Sequence, residues 1–271
     1  MPLVSVVTAT YAGDDPQQLA QAVDSVIAQT HRPLHYLVAC DGPLTRDQSQ
    51  VLAVRAAAHE WIDVRELPGP RGPAAARNAV LPECTGDFVA ILDADDAMAP
   101  TRIAEQIEAL THRQWDLVAS WLQIMDPTGA DREIRQFPTD PGQVRAKAAY
   151  FCPTANTALT FRADVLPRFR YPELRVGEDY RLWVDLMRAG LRIGNLPRPL
   201  TRYRAGAGSM TRRRGWKYAT SDLATKLRAL PLAPVWQWPF VVVVAGATFL
   251  VRLLPAGLFR GAYVLFEKVT R

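Results

Sequence analysis

Short apolar runs, each closed by polar or acidic side chains, mark out the first part of the chain. Leu3, Val4, Val6 and Val7 lead into Thr8, Ala9, Thr10 and Tyr11, and Tyr36 to Ala39 lead into Cys40, Asp41 and Gly42. A third run, Phe88 to Leu92, ends in Asp93, Asp95 and Asp96. Such runs are the pattern of strands covered on both faces, as in the middle of an α/β sheet. Between the first two, Pro16 to Gln29 carries Leu19, Val23, Val26 and Ile27 at spacings near four and three, which predicts an amphipathic helix. Pro100 to Leu110, with Ile103, Ile107 and Leu110, predicts another; Asp116 to Met125 reads as a strand, and Asp126-Pro127-Thr128-Gly129 as the turn of a hairpin. Strand, helix, strand with an acid at the second strand's end outlines a nucleotide-binding α/β unit. No G-x-G-x-x-G follows the first strand and no G-x-x-x-x-G-K-[ST] occurs, so neither a dinucleotide fold nor a P-loop is supported.

The carboxylates after Leu92 carry the first chemical signal. Ligands of open α/β sheets collect at the carboxyl ends of strands. In an extended segment Asp93 and Asp95 point to one side, and two hard oxygen ligands suit Mg²⁺ or Mn²⁺ shared with a substrate diphosphate. The competing reading is a helix cap before Pro100 with solvated neighbours. Farther along, Gly177, Glu178 and Asp179 precede a helical pattern of Leu182, Trp183, Leu186 and Met187, where acids also favour the helix dipole.

Taken in order, VSVVTATY, ACDGP, RGPAAARNAV, GDFVAILDADD and VGEDYRLW resemble the inverting nucleotide-sugar glycosyltransferases of family 2 over about residues 2 to 210. The resemblance implies an α/β fold of the GT-A type, a mixed nucleotide-binding sheet flanked by helices. It implies that Thr10 and Tyr11 line the base pocket and that Asp41 accepts a hydrogen bond from the base. It places Arg77 and Asn78 under the nucleotide, Asp93 at the ribose or diphosphate, Asp95 on the metal and Asp179 as catalytic base. Glu178 and Trp183 become acceptor-side candidates, although a tryptophan at helical spacing with Leu182 and Leu186 also reads as core. Thr154, Asn156 and Thr157 are possible acceptor-facing groups.

The chemistry asks for these residue types. A leaving diphosphate needs a divalent cation, Mn²⁺ or Mg²⁺, and an ionised carboxylate to hold it. An inverting displacement needs one general base opposite the leaving group. Three positions depart from the family pattern: Ala12 follows Thr10-Tyr11, Cys40 precedes Asp41, and Gly206 stands where many members carry a histidine that helps hold the metal or diphosphate, leaving Ser209, Thr211 or Arg212 as substitutes. The absence of Q-x-x-R-W favours transfer of a single sugar over processive synthesis. A nucleotidyltransferase would be expected to carry a basic, glycine-rich loop near the first strand, and Thr8 to Asp15 has no Lys or Arg. A non-catalytic nucleotide-sugar-binding module is the other alternative, disfavoured by intact Asp95 and Asp179.

Charge divides the chain. Residues 202 to 271 hold 12 Lys/Arg and 2 Asp/Glu, a net +10, so a total of +5 leaves −5 for residues 1 to 201. A basic tail argues against a nucleic-acid enzyme and for a segment with its own partner. No basic lead or cleavage site accompanies the apolar run after Met1, so no secretory leader is expected. Three distant cysteines fit a reducing compartment without disulfides or a zinc site. The expected division is a catalytic domain over 1–215 and a helical, membrane-associating tail over 216–271. In the tail Trp236 and Trp238 precede Pro239 to Val251, where Thr248 is the only polar side chain. That stretch is short of the roughly 20 residues a spanning helix needs. A helix pair broken at Pro255 and lying on or dipping into the cytoplasmic leaflet keeps Arg212 to Arg214, Lys217, Arg260, Lys268 and Arg271 on one side. The expected partners are a nucleotide-sugar donor, a glycan or lipid-linked acceptor and an anionic membrane surface, with a homodimer as the other use of the apolar tail.

Overall fold

The structure, a computed structural model, describes residues 1–174, 176–205, 213–259 and 261. Its centre is β1 (Val4–Thr10), all seven residues of which are buried. Parallel partners flank it: β2 (Leu34–Cys40) on one side, followed outward by β3 (Ile62–Glu66), and β4 (Phe88–Ile91) on the other. The crossovers are α1 (Pro16–Ile27), α2 (Arg46–Ala58) and α3 (Pro73–Val80). Successive side chains of a strand face opposite ways, and both faces are occupied. Val4, Val6, Tyr36 and Val38 join one cluster with Leu19 and Val23 of α1; Val7, Leu37 and Ala39 join another with Ala76 and Val80 of α3. This is the two-sided burial that the apolar runs predict.

Beyond β4 the sheet becomes mixed. The two-residue β5 (Ala97–Met98) precedes α4 (Arg102–His112), then β6 (Leu117–Met125) and β7 (Asp131–Arg135) form the expected hairpin. Its turn is fixed by Asp126, whose carboxylate accepts from the backbone of Thr128 and Ala130. After α5 (Pro141–Lys147) come β8 (Thr160–Arg162), α6 (Glu178–Arg188) and β9 (Ile193–Arg204). The strand order is β3-β2-β1-β4-β8-β6-β9-β5, with β7 on β6. The predicted first helix is two residues shorter at its end than expected, and the second begins at Arg102.

The C-terminal helices lie against this body. The first, α7 (Trp216–Ala229), meets α6 through Arg228 and Asp185, while its Ser221 hydroxyl donates to the Val176 carbonyl at 2.9 Å. Ala229 and Leu232 enter the main core. The second, α8 (Trp238–Leu253), packs on α7 through Trp216 against Phe249 and an ion pair of Arg252 with Asp222 at 3.2 Å.

Gly86, at the entry to β4, sits against β1 so closely that a Cβ would lie 2.5 Å from the Ser5 nitrogen and 2.9 Å from the Leu3 carbonyl. Backbone on both sides leaves no flexible atom to yield. Gly86→Ala is therefore expected to destabilise the fold by about 1 to 3 kcal/mol, measured by urea denaturation; an unchanged midpoint would show that β1 and β4 can separate without cost.

Candidate active site

At the end of β1 the chain turns around Asp14. Its carboxylate accepts from the Thr10 hydroxyl at 3.0 Å and from the Tyr11 N–H at 3.1 Å. Gln48 of α2 donates to the carbonyls of Tyr11 and Asp14, at 2.9 and 2.7 Å. The Tyr11 ring is half-exposed at the surface, directly over Gly13, where any Cβ would strike it. At the end of β2, Asp41 accepts from the N–H groups of Arg71 and Gly72, both at 2.8 Å. It therefore anchors the loop into α3.

Under these loops, Arg77 of α3 is 5% exposed and pairs with Asp93 at 2.5 Å. The Asn156 amide also donates to Asp93, and the Asp93 N–H donates to the Thr157 hydroxyl at 3.1 Å. Asn78 is placed differently from the expectation. Its amide donates to the Tyr171 carbonyl at 2.8 Å and its oxygen accepts from the Tyr171 N–H at 2.9 Å, which holds the Tyr171 ring 5.5 Å from the Arg77 guanidinium. Asn78 is thus a clip for the segment beneath the site, not a surface offered to a nucleotide. Thr154, Asn156 and Thr157 line the neighbouring cleft, with Thr154 donating to Asn195 at 2.7 Å and Asn156 and Thr157 holding Asp93.

The acidic segment is a turn, not the extended strand expected. β4 ends at Ile91, and the Asp96 N–H closes back on the Asp93 carbonyl at 3.2 Å before β5 begins. The turn still gathers its carboxylates. Burial, then the charge of Asp93, pushes Asp95 up to about 6. Asp14 is raised by burial, with Asp93 adding to the effect. Asp96 is wholly buried and raised well above the usual range by burial and by Asp95 and Asp93, though its carboxylate accepts the Arg204 N–H at 2.8 Å. Sequence gave no sign of Arg102, which is completely buried and props the turn from below by donating to the carbonyls of Ile91, Thr157 and Leu159.

This donor set fits a divalent cation. Asp14, Asp93, Asp95 and Asp96 face Arg77 and Arg204 as nearby compensating cations, and burial first, then mutual repulsion, raises Asp14, Asp95 and Asp96. Among the described residues no three His, Cys, Asp or Glu side chains form a ready metal cage. The protein would supply one or two carboxylates, the remaining ligands coming from phosphate and water, as Mg²⁺ usually requires. Gly206, Ser209, Thr211 and Arg212 lie outside the described residues.

Asp179 faces the same space. Gly177, at φ 72°, turns the chain into α6, and the Tyr180 N–H donates to the Asp179 carboxylate at 2.7 Å. Burial raises the Asp179 carboxyl. Glu178 is pushed up to about 7, by burial first and by the Asp179 charge second. Asp93 and Asp179 both line one cleft of about 1390 Å³ whose far wall is made by α5, α7 and α8. Trp183 does not reach it. It is completely buried among Leu182, Leu186 and Phe169, so the acceptor-side candidacy is corrected to a core role.

The Glu178 shift makes stability depend on pH. Between its ordinary 4.5 and about 7 the folded chain holds a proton that the unfolded chain has released, so stability falls as pH rises through that window. Glu178→Gln is expected to lose less melting temperature than wild type between pH 5 and pH 8. Parallel melting curves for the two proteins would refute it.

The profile of the family described as "Glycosyl transferase family 2" matches residues 5–165. Among curated proteins the chain is similar to the amylovoran biosynthesis glycosyltransferase AmsE of Erwinia amylovora, 28% identical over 82% of this chain and 83% of AmsE. It is also similar to the UDP-Gal:alpha-D-GlcNAc-diphosphoundecaprenol beta-1,3-galactosyltransferase of Escherichia coli, 24% identical over 100% of this chain and 97% of that protein. Among solved structures it resembles S. aureus TarS 1-349 in complex with UDP-GlcNAc, with a TM-score of 0.67 at 17% identity over 92% of this chain and 72% of that one. The mannosyltransferase PcManGT of Pyrobaculum calidifontis, in complex with GDP-Man and Mn²⁺, gives 0.62 at 18% identity over 91% and 73%. Those likenesses establish the GT-A fold of the mixed sheet, and with the profile match over more than half its length the chain belongs to glycosyltransferase family 2, whose enzymes use nucleotide sugars.

Proposed function

We propose that this chain moves one sugar from a nucleotide sugar, a UDP-sugar in the first instance, to a hydroxyl of a glycan or lipid-linked acceptor with inversion at the anomeric carbon. The observation that carries this reading is that Asp93 and Asp179, far apart in the sequence, line one cleft. Thr10, Tyr11 and Asp41 surround the place of the base, and Arg77 sets Asp93 beside the ribose and diphosphate. Asp95, with Asp93 beside it, would hold Mn²⁺ or Mg²⁺, which neutralises the leaving diphosphate. Asp179 takes the proton of the acceptor hydroxyl while its oxygen bonds to the anomeric carbon and the bond from that carbon to the diphosphate oxygen breaks. Burial brings this carboxylate's basicity nearer to neutral pH, where a general base works best. The substrates named for the relatives support the assignment: UDP-GlcNAc in TarS, GDP-Man with Mn²⁺ in PcManGT, and a lipid diphosphate sugar as acceptor in the E. coli enzyme.

The same reading places the enzyme at the cytoplasmic face of the cell membrane. Val235–Leu253 is long and apolar enough to cross a bilayer by length and composition, with 28% of it buried. One side is buried at Val241, Val244, Thr248 and Arg252 and fastened to α7 by the Arg252–Asp222 pair, while Trp236, Phe240, Val243 and Leu250 are exposed. A helix anchored on one side and apolar on the other suits an interfacial position, with the tryptophans at headgroup level.

Asp179→Asn is expected to cut turnover by about 10²-fold or more, with donor affinity nearly unchanged because the loss falls on the transition state. A variant retaining a tenth of wild-type turnover would remove Asp179 from the role. Calorimetry of UDP with and without Mn²⁺ tests the metal: the ion should strengthen binding in wild type and have no effect in Asp95→Asn, and equal affinity with metal and with chelator would refute metal dependence. Flotation with phosphatidylglycerol liposomes tests the membrane. A Trp236→Ser, Phe240→Ser double variant should leave the liposome fraction, whereas full-length protein that ignores liposomes and forms a dimer lost in the variant would assign the face to a protein partner.

A further inference from the structure

Where β7 runs on towards α5, the cleft wall carries polar side chains that the fold itself does not use. Arg135 stands opposite Leu122 in the β6–β7 ladder, and residues directly opposite share a face; both line the cleft. Gln136 and Gln143 line it as well. Among the described residues, none of these three side chains makes a hydrogen bond or an ion pair, although Arg135 is partly buried. Lys226 and Arg252, by contrast, are committed to Asp222. The rim is pinned from beneath. The Trp121 indole N–H donates to the Phe137 carbonyl at 2.9 Å. Asn195 of β9 is completely buried, and its amide donates to the carbonyls of Pro138 at 2.6 Å and Pro153 at 3.3 Å while its N–H donates to that of Thr139 at 3.2 Å. The Asp140 carboxylate accepts from the N–H groups of Gly142 and Gln143 at 2.7 and 3.4 Å, which fixes the first turn of α5. Asn195 also accepts from Thr154, and Asn156 and Thr157 hold Asp93. One buried side chain therefore ties the rim after β7 to the segment that holds Asp93.

We propose that Arg135, with Gln136 and Gln143, forms a subsite for an acidic sugar of the acceptor, the guanidinium taking the carboxylate of a hexuronate unit and the two amides its hydroxyls. The proposal rests on the glycosyltransferase reading and adds the charge class of the acceptor. Uncommitted polar side chains on a backbone fixed from below are what a preorganised binding site requires. The subsite belongs to the acceptor because it shares its cleft with Asp179, whereas Thr10, Tyr11 and Asp41, which surround the place of the base, do not line that cleft. A guanidinium fork matches a carboxylate through two parallel N–H···O bonds. One cation balances the single charge of a carboxylate; a phosphate monoester carries about −1.5 to −2 and calls for a second.

The test is titration of the full-length chain, saturated with UDP and Mn²⁺, with methyl glucuronide, methyl glucoside and glucose 6-phosphate, followed by ligand-observed NMR. Wild type should bind the glucuronide about fivefold more tightly than the glucoside, the scale of an ion pair that stays partly open to water. Arg135→Gln should bring the two affinities together, and Arg135→Lys should restore part of the difference, since it keeps the charge but loses the fork. Because Arg135 holds nothing else in the fold, both variants should keep the wild-type melting temperature and UDP affinity. Equal binding of glucuronide and glucoside by wild type, no binding of either, or a preference that survives in Arg135→Gln would each overturn the subsite. Glucose 6-phosphate binding as tightly as the glucuronide would overturn the carboxylate, and glucuronide displaced by UDP would overturn the acceptor-side placement. A wild-type chain that does not bind UDP at all would strike the transferase reading instead, and the same titration without nucleotide would then judge the subsite alone.

Discussion

The Arg77–Asp93 ion pair is the contact on which the site depends. It joins α3 to the end of β4 across the mouth of the sheet, and it sets the charge balance for every acid around it. Breaking a buried pair costs about 3 to 5 kcal/mol because the remaining charge is uncompensated; here the figure is smaller, since the Asp93 side chain keeps 28% exposure. The consequence is more local than global. Asp14, Asp95 and Asp96 all feel the charge of Asp93, so loss of Arg77 would push each farther towards its neutral form and weaken the hold on a cation. Asn78 and Tyr171 exist in this arrangement to keep Arg77 in place, and Arg102 performs the same service for the turn from the opposite side of the sheet.

That balance explains how the acidic turn beside the cleft holds together. Carboxylates crowded at a strand end repel one another, and Arg77 beside Asp14 and Arg204 beside Asp95 offset part of that repulsion.

Much of this was legible in the sequence where a local pattern decides the structure. β1, β2 and β4 are buried on both faces, and continuous apolar runs announce that directly; Asp126 with Gly129 announces a turn. Three kinds of feature were not legible. α2 buries only Gln48 and Leu52 along its length, so it carries no apolar periodicity to read. β9 contains Pro197 and Pro199, which argue against an inner strand, yet it runs between β6 and β5 because the register slips beside Ser120 and Trp121 and lets the prolines bulge out of the ladder. Asn78 carries the right chemistry for a ligand, but whether a polar side chain faces substrate or clips backbone depends on its neighbours in space. Trp183 shows the reverse case, where helical spacing with Leu182 and Leu186 already pointed inward.

The tail extends the argument from the site to its surroundings. Had α8 been an independent anchor, its orientation would be free and its exposed residues uninformative about the cleft. The Arg252–Asp222 pair and the packing of Trp216 on Phe249 fix it against α7, and Ala229 and Leu232 fix α7 to the core. The rotation of α8 about its axis is therefore set by the catalytic body. The side that remains exposed, from Trp236 through Phe240 to Leu250, adjoins the cleft, so the packing that fixes the tail also sets an apolar face at the cleft's rim.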